Sequence, residues 1–197
     1  ESHLNISATL IEANSGAVVF KRDYRQQVSA LRLACHRLSD DVVKAVTGKN
    51  GIAQTQIAFS NDHTGNKEIY MMDYDGANLR ELTYDDSIAL LPRLTPDRTL
   101  LVYTTYKEGN PDLFALDLEH STRRPLSREQ GLNIAGGFSH DGTQLLMTLS
   151  RQKSPNLYIR SMRDGSVTQL THHFGADSSP TLSPDAGQVA FVSDRSC

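Results

Sequence analysis

Three segments of this chain, TQIAFSNDHTGNKEIYMMDYDGANLRELT from Thr55, TLLVYTTYKEGNPDLFALDLEHSTRRPLS from Thr99 and TQLLMTLSRQKSPNLYIRSMRDGSVTQLT from Thr143, align without a gap at a spacing of 44 residues. A fourth copy opens at Gly187 as GQVAFVSDR, again 44 residues on. The same short turn precedes each of the last three: LTPDR at 94–98, FSHDG at 138–142 and LSPDA at 182–186. A unit of this length cannot bury its apolar face alone, so successive copies must stack on one another.

The apolar pattern inside each copy says what is stacked. Ile57-Ala58-Phe59, Leu100-Leu101-Val102-Tyr103, Leu145-Leu146-Met147 and Val189-Ala190-Phe191-Val192 are short apolar runs of strand length, suited to strands covered on both faces. Ile69-Tyr70-Met71-Met72, Leu113-Phe114-Ala115-Leu116 and Leu157-Tyr158-Ile159 supply a second strand per copy. A third precedes Leu82-Thr83, Leu126-Ser127 and Leu170-Thr171, and a fourth ends in Arg93-Leu94, Gly137-Phe138 and Thr181-Leu182. Four strands in about 40–45 residues make the blade of a β-propeller. Pro96-Asp97, His140-Asp141-Gly142 and Pro184-Asp185 form the turns from the innermost strand to the next, because proline presets φ and aspartate and glycine accept tight-turn geometry. Asp75-Gly76 and Asp164-Gly165 serve the turns to the outermost strand. As calcium ligands these aspartates lack the clustered oxygen spacing of a dedicated site.

The first 54 residues do not follow the period. Ile6 to Ile11 and Ala17 to Lys21 flank Asn14-Ser15-Gly16 and read as a β-hairpin, while Glu1 to Asn5 carry no assignable pattern. From Gln27 to Val46, Leu31, Ala34, Cys35, Leu38, Val42 and Val46 recur at mostly three- and four-residue spacing, which predicts an amphipathic helix stopped by Thr47-Gly48. The expected organisation is a small α/β segment at 1–53 and a mainly β, incomplete propeller at 54–197, its repeats beginning at 55, 99, 143 and 187.

Composition excludes several classes of function. With 38% hydrophobic and 22% charged residues the chain is globular rather than disordered, and a net charge of −3 leaves no footprint for nucleic acid. No apolar run approaches the roughly 20 residues of a membrane span, and the start shows no basic segment followed by an apolar stretch, although a mature chain would have lost a signal peptide. Cys35, expected as a half-buried free thiol, and Cys197 lack metal-type spacing, and a bridge between them would have to tie the chain's end to its beginning. His172-His173 with Asp177 is a poor metal set, because adjacent histidines in a strand or loop point apart. No G-x-S-x-G elbow is present to organise a serine nucleophile. His36 and Asp40, four apart on one helix face, are expected to pair electrostatically. No cofactor is expected.

The run LRLACHRLSDDVVKAVTGKNGIAQTQIAFSN is similar to the helix, Thr-Gly stop and first propeller strand of the TolB family, the periplasmic components of the Tol-Pal system. The SPDG-like turns, the SDRS after the strand and the block IYMMDYDGANLRELT resemble the repeats of that family. The resemblance covers nearly all of the chain. It implies a six-bladed parent propeller, a periplasmic location and no enzymatic activity. It further implies binding of Pal, the peptidoglycan-associated lipoprotein, by the propeller, contact of the amino-terminal region with the Tol inner-membrane proteins, and a role in outer-membrane integrity, constriction during division and, in some members, colicin import. Much of the family's larger amino-terminal domain and about half of its propeller have no counterpart here, so the chain is expected to be a piece of a longer protein. The loops joining successive blades, 84–90, 128–135 and 172–178, contribute to Pal recognition in the family. Matching by repeat register carries that role to Leu132, Asn133, Ala135 and Ser178, with Ile88 and Asp177 as further members.

Two function classes follow, a protein-binding scaffold of TolB type and the propeller gate of a prolyl-oligopeptidase-like serine peptidase whose catalytic domain lies elsewhere. The helix with its Thr-Gly stop favours the first. A free-standing sensor or carbohydrate-binding propeller is a third. A propeller left open in this way exposes blade faces and sheet edges, which predicts aggregation, pairing with another copy, or a more complete parent protein that covers them.

Overall fold

In the computed structural model, which describes residues 2–152 and 154–195, the chain divides into two compact units, Glu1–Ile57 with Met72–Leu79 and Ala58–Met71 with Arg80–Cys197. Cys197 lies outside the described residues.

The first unit opens with the expected hairpin, β1 (His3–Ile11) antiparallel to β2 (Val18–Gln27), in register from His3 opposite Gln27 to Leu10 opposite Phe20. Both strands outrun the apolar pattern. His3–Asn5, unassignable by sequence, pairs with the polar stretch Arg25–Gln27, so pairing rather than propensity sets the strand length. A single 3-10 turn (Val28–Ala30) leads into α1 (Leu31–Thr47), which therefore starts four residues later than its periodicity suggests, because Gln27 ends β2. Gly48, at φ 73°, stops the helix in the left-handed conformation and donates its N–H to Lys44. Tyr24 donates a 2.7 Å hydrogen bond to Asp41, and Arg22 meets the same carboxylate at 2.6 Å, tying hairpin to helix. Burial, then the Asp41 charge, pushes the Tyr24 hydroxyl up to about 12.

The expected His36–Asp40 pairing is indirect: no direct ion pair joins them, yet, against burial, the His36 charge adds to the hydrogen bonds of Gln54 and Ala53 that hold the Asp40 carboxyl below its usual range. The Asp40 carboxylate instead accepts the Ala53 N–H at 2.7 Å, the Gln54 N–H at 3.2 Å and the Gln54 side-chain amide at 2.9 Å, fastening the chain after the helix. His36 Nε2 lies 3.1 Å from Asp75, whose carboxylate also takes Arg32 at 2.9 Å. A hydrogen-bonding segment delivered by the fold outcompetes the i, i+4 neighbour, whose contribution on an exposed helix is only a few tenths of a kcal/mol. Cys35 is exposed, because Ala34 is the only α1 residue that is buried.

After it come β3 (Gln56–Asn61), β4 (Glu68–Asp73) and β5 (Arg80–Glu81), forming a three-stranded sheet. The next sheet holds β6 (Ala89–Leu94), β7 (Leu100–Thr105), β8 (Asp112–Asp117) and β9 (Arg123–Ser127), paired in chain order. A third contains β10 (Asn133–Phe138), β11 (Gln144–Gln152), β12 (Ser154–Ser161) and β13 (Val167–Gln169), and β14 (Asp177–Leu182) pairs with β15 (Val189–Ser193). The pairing of β4 with β5 and every pairing within the sheets from β6 onward are antiparallel, as blades require.

The turn between the first two strands is rebuilt from the same atoms each time. Thr95, Ser139 and Ser183 donate their hydroxyls to Asp97, Asp141 and Asp185 at 2.6, 2.6 and 2.5 Å, and each aspartate accepts a backbone N–H two residues further on at 3.1 Å. The hydroxyl oxygens in turn accept the N–H of Leu100, Gln144 and Gln188. The Pro-Asp signature is thus a hydrogen-bonded clasp. Its donors, led by the Ser139 hydroxyl, hold the Asp141 carboxyl at about 2.

Packing of the same strand differs from copy to copy. Leu101, Val102 and Tyr103 of β7 and Leu145, Leu146 and Met147 of β11 are fully buried, whereas Val192 of β15 is 63% exposed. The last apolar run is therefore uncovered, unlike those of β7 and β11, since β14 and β15 form a two-stranded sheet; the first run, Ile57-Ala58-Phe59, is also incompletely covered, with Ile57 exposed. Adjacent inner strands approach closely: a Cβ on Gly136 of β10 would lie 2.5 Å from the carbonyl oxygen of Pro180 on β14, so only glycine fits.

Candidate rim interface

The three inter-blade loops are held by a scheme that recurs with the repeat. Residues 85, 129 and 173 occupy one repeat position, and each offers its backbone N–H to a buried side-chain acceptor. Glu68 accepts the N–H of Asp85 at 2.7 Å and of Asp86 at 2.8 Å, together with the Thr83 hydroxyl. Asn133 accepts the Glu129 N–H at 3.0 Å and the Ser127 hydroxyl at 2.5 Å, and donates to the carbonyls of Glu129 and Gly131 at 2.6 and 3.0 Å. Asn156 accepts the His173 N–H at 2.9 Å. Glu68 and Asn156 are repeat equivalents, 88 residues apart, whereas Asn133 reaches back from the following inner strand; from these two positions the same orphan amide is satisfied in each loop, as burial of a polar loop requires.

A second set of contacts fastens each loop to the following blade. Lys107, Arg151 and Arg195 are again repeat equivalents, and each meets a carboxylate of the loop before it. Lys107 lies 3.6 Å from Asp85, Arg151 2.6 Å from Glu129 and Arg195 2.6 Å from Asp177. Asp85 is completely buried and is also held by Arg123. Burial pushes the neighbouring Tyr103 hydroxyl up to about 12. At Asp177 burial alone would raise the carboxyl, but hydrogen bonds from Ser193, Arg195 and Thr171 hold it below the usual carboxylate range. Arg151 lies over the Tyr158 ring and Arg195 over Phe191, at 5.4 Å from each centroid, so the cations are themselves held in place.

Clamped from both sides, the loops present a few apolar side chains to solvent. Phe174 is 86% exposed and Tyr84 68%, with Ile88 also exposed. Aromatic side chains fixed on a rigid loop contribute much contact area at little entropic cost on binding.

The residues predicted from the repeat register fall into two groups. Ile88 is exposed, and Leu132 and Ser178 are half-buried, so these have surface to offer. Asn133, Ala135 and Asp177 are buried: Ala135 packs in the core with Leu145 and Met147, and the other two hold their loops by the contacts above. Tyr84, Phe174 and the cation series were not singled out by sequence, although Lys107, Arg151 and Arg195 sit 44 residues apart and the alignment displays them. Around His172 and His173, the His173 Nδ1 accepts the Gly175 N–H at 3.0 Å and Asp177 is engaged by Arg195. Among the described residues, no three His, Cys, Asp or Glu side chains are grouped to hold a metal ion. No described helix is long and apolar enough to cross a membrane.

Four-stranded antiparallel sheets at a constant period, packed inner strand against inner strand, define a β-propeller. Residues 43–197 match the TolB beta propeller domain model, and the chain belongs to that family. Among its relatives is a Protein TolB homolog of Chlorobium chlorochromatii, 41% identical over 103 residues, 52% of this chain and 23% of that protein. The Tol-Pal system protein TolB of Geobacter sulfurreducens is 41% identical over 88 residues, 45% of this chain and 20% of that one. The chain thus spans about a fifth to a quarter of the length of these relatives. The crystal structure of TolB from Acinetobacter baumannii superimposes with a TM-score of 0.67 at 21% identity, over 95% of this chain and 59% of that one, a likeness of fold.

Proposed function

We propose that this chain is part of a non-enzymatic, periplasmic protein-binding scaffold of the Tol-Pal system. In this reading the propeller, from residue 54 onward, docks the peptidoglycan-associated lipoprotein Pal, and the segment up to 53 belongs to the region that meets the Tol inner-membrane proteins. The protein would thereby support outer-membrane integrity and cell division. The single observation that carries the proposal is the rim: loops clamped by buried acceptors and period-matched cations, presenting Tyr84, Ile88 and Phe174 to solvent. Such preorganisation suits recognition of a folded partner, since the loops lose little further freedom on docking. Leu132 and Ser178 extend the contact surface, while Asn133, Ala135 and Asp177 shape it from beneath. Family membership and the relatives named for the Tol-Pal system support this scaffold over the peptidase gate.

The test is capture of the same organism's Pal by the full-length protein, measured by calorimetry. Wild type should bind saturably, and Phe174→Ala combined with Tyr84→Ala should weaken binding about tenfold or more while leaving the melting temperature unchanged. Absence of a complex with the full-length protein, or a double variant that binds like wild type, would overturn the assignment of the rim to Pal.

A further inference from the structure

The inner strands β6, β10 and β14 line a cleft of about 400 Å³ that borders the rim loops at Ile134 and Ala135 and runs inward from them. The cation in it is Arg93, and no acidic residue lines it. Arg93 is held by backbone carbonyls rather than by a carboxylate: its Nε donates to Gly136 at 2.7 Å on the neighbouring inner strand, and Nη1 to Pro92 at 3.3 Å. Among the described residues no Asp or Glu lies within ion-pair distance of it. A guanidinium has five N–H donors, so donors and the full positive charge remain for a ligand.

The surrounding backbone is shaped to leave room. Each of the three inner strands slips register midway, between Leu90 and Arg93 and between Ser178 and Thr181 at equivalent repeat positions, and one residue later in β10, between Ala135 and Phe138. Leu91 and Ser179 take left-handed φ values of 55° and 53° there, uncommon for residues with a side chain. Bulges of this kind re-aim side chains beside functional sites. Gly136 is required by the close approach of Pro180, but Gly137 is not: a Cβ there would meet only the Thr181 hydroxyl, at 3.9 Å, and its φ is not left-handed. The second glycine keeps open a space that the chain could fill. Ser179 and Thr181 line the same cleft, the Thr181 hydroxyl facing Gly137.

We infer that this cleft is an oxyanion site, in which Arg93 receives a carboxylate or phosphate group and Ser179 and Thr181 donate hydrogen bonds to it. Planar recognition by a fixed guanidinium, supplemented by neutral hydroxyl donors and free of competing acids, is the chemistry that suits such groups. The site borders the rim at Ala135, but its ligand is a small anion, and its titration uses no Pal.

The experiment is a titration of the chain with inorganic phosphate, and in parallel with N-acetyl-diglycine bearing a free carboxylate or capped as the amide, at constant ionic strength and followed by amide chemical shifts. At least one anion should saturate with shifts centred on residues 91–93, 136–137 and 179–181, and the amide should not. Saturation by phosphate alone identifies a phosphate site, and saturation by the free peptide alone a carboxylate site; either supports the proposal. Arg93→Gln should weaken binding about tenfold or more, and Gly137→Val should do so by filling the space without lowering the melting temperature. Arg124→Gln, a charge change on β9, should have no effect. Absence of saturation by every anion, or saturation unaffected by both Arg93→Gln and Gly137→Val, would overturn the assignment.

Discussion

Truncating Asn133 to alanine tests whether the inter-blade loops are fixed by their buried acceptors. The side chain is fully buried and makes four hydrogen bonds, two accepted and two donated. Its removal leaves the Ser127 hydroxyl, the Glu129 N–H and the Gly131 carbonyl without that partner, whereas the Glu129 carbonyl keeps the Asn110 amide at 2.9 Å. An unsatisfied buried polar group costs about 1–3 kcal/mol, so three would cost up to about 9. Glu129 and Gly131 are only half-buried, however, so water replaces part of the loss. The expected destabilisation is therefore about 2–4 kcal/mol, or a melting temperature lower by about 5–15 °C for a chain of this size. Urea unfolding followed by circular dichroism measures it. Asn133→Asp keeps the two accepted bonds but sets a carboxylate oxygen against two carbonyls, so at neutral pH it should lose at least as much and recover part of the loss on acidification. An Asn133→Ala variant within about 0.5 kcal/mol of wild type, the range of an ordinary surface substitution, would refute the idea that this side chain holds the loop.

Other substitutions probe the turn clasp, the contact between inner strands and the core. Because the folded Asp141 carboxyl titrates at about 2, below the roughly 3.9 of an unfolded aspartate, its stabilisation is complete above about pH 4 and is lost as pH falls towards 2. The stability of Asp141→Asn should accordingly fall less steeply than that of wild type across this window, and equal slopes in pH-dependent unfolding would contradict the clasp. Gly136→Ala would force β10 away from β14 and should cost about 1–3 kcal/mol by overpacking, readable as a lower urea midpoint. Leu145→Ala, in the core of the third sheet, should cost about 2–5 kcal/mol and thereby show that this blade unfolds with the rest.

Much of this fold is legible along the chain. The 44-residue period places the blade strands, and Asp97, Asp141 and Asp185 mark turns, because a clasp closed within five residues depends on local sequence alone. The rim was legible as a set of loops but not as a set of surfaces. Ile88, Leu132, Asn133, Ala135, Asp177 and Ser178 share that rim, yet Asn133, Ala135 and Asp177 face inward while Tyr84 and Phe174 face water. Periodicity identifies equivalent positions; it does not state which neighbour covers them.

The same division runs through the amino-terminal unit. The sequence by itself determined that a hairpin precedes a helix closed at Gly48, since turn chemistry and apolar spacing are short-range properties. Only the tertiary structure decided that β1 reaches back to His3, that Asp40 serves Ala53 and Gln54, and that His36 turns to Asp75. It alone also revealed that Lys107, Arg151 and Arg195 each fasten the loop before their own blade. Local patterns declare which element a residue joins, but the partner of a charge or buried amide is chosen by distance in space, which the chain acquires only on folding.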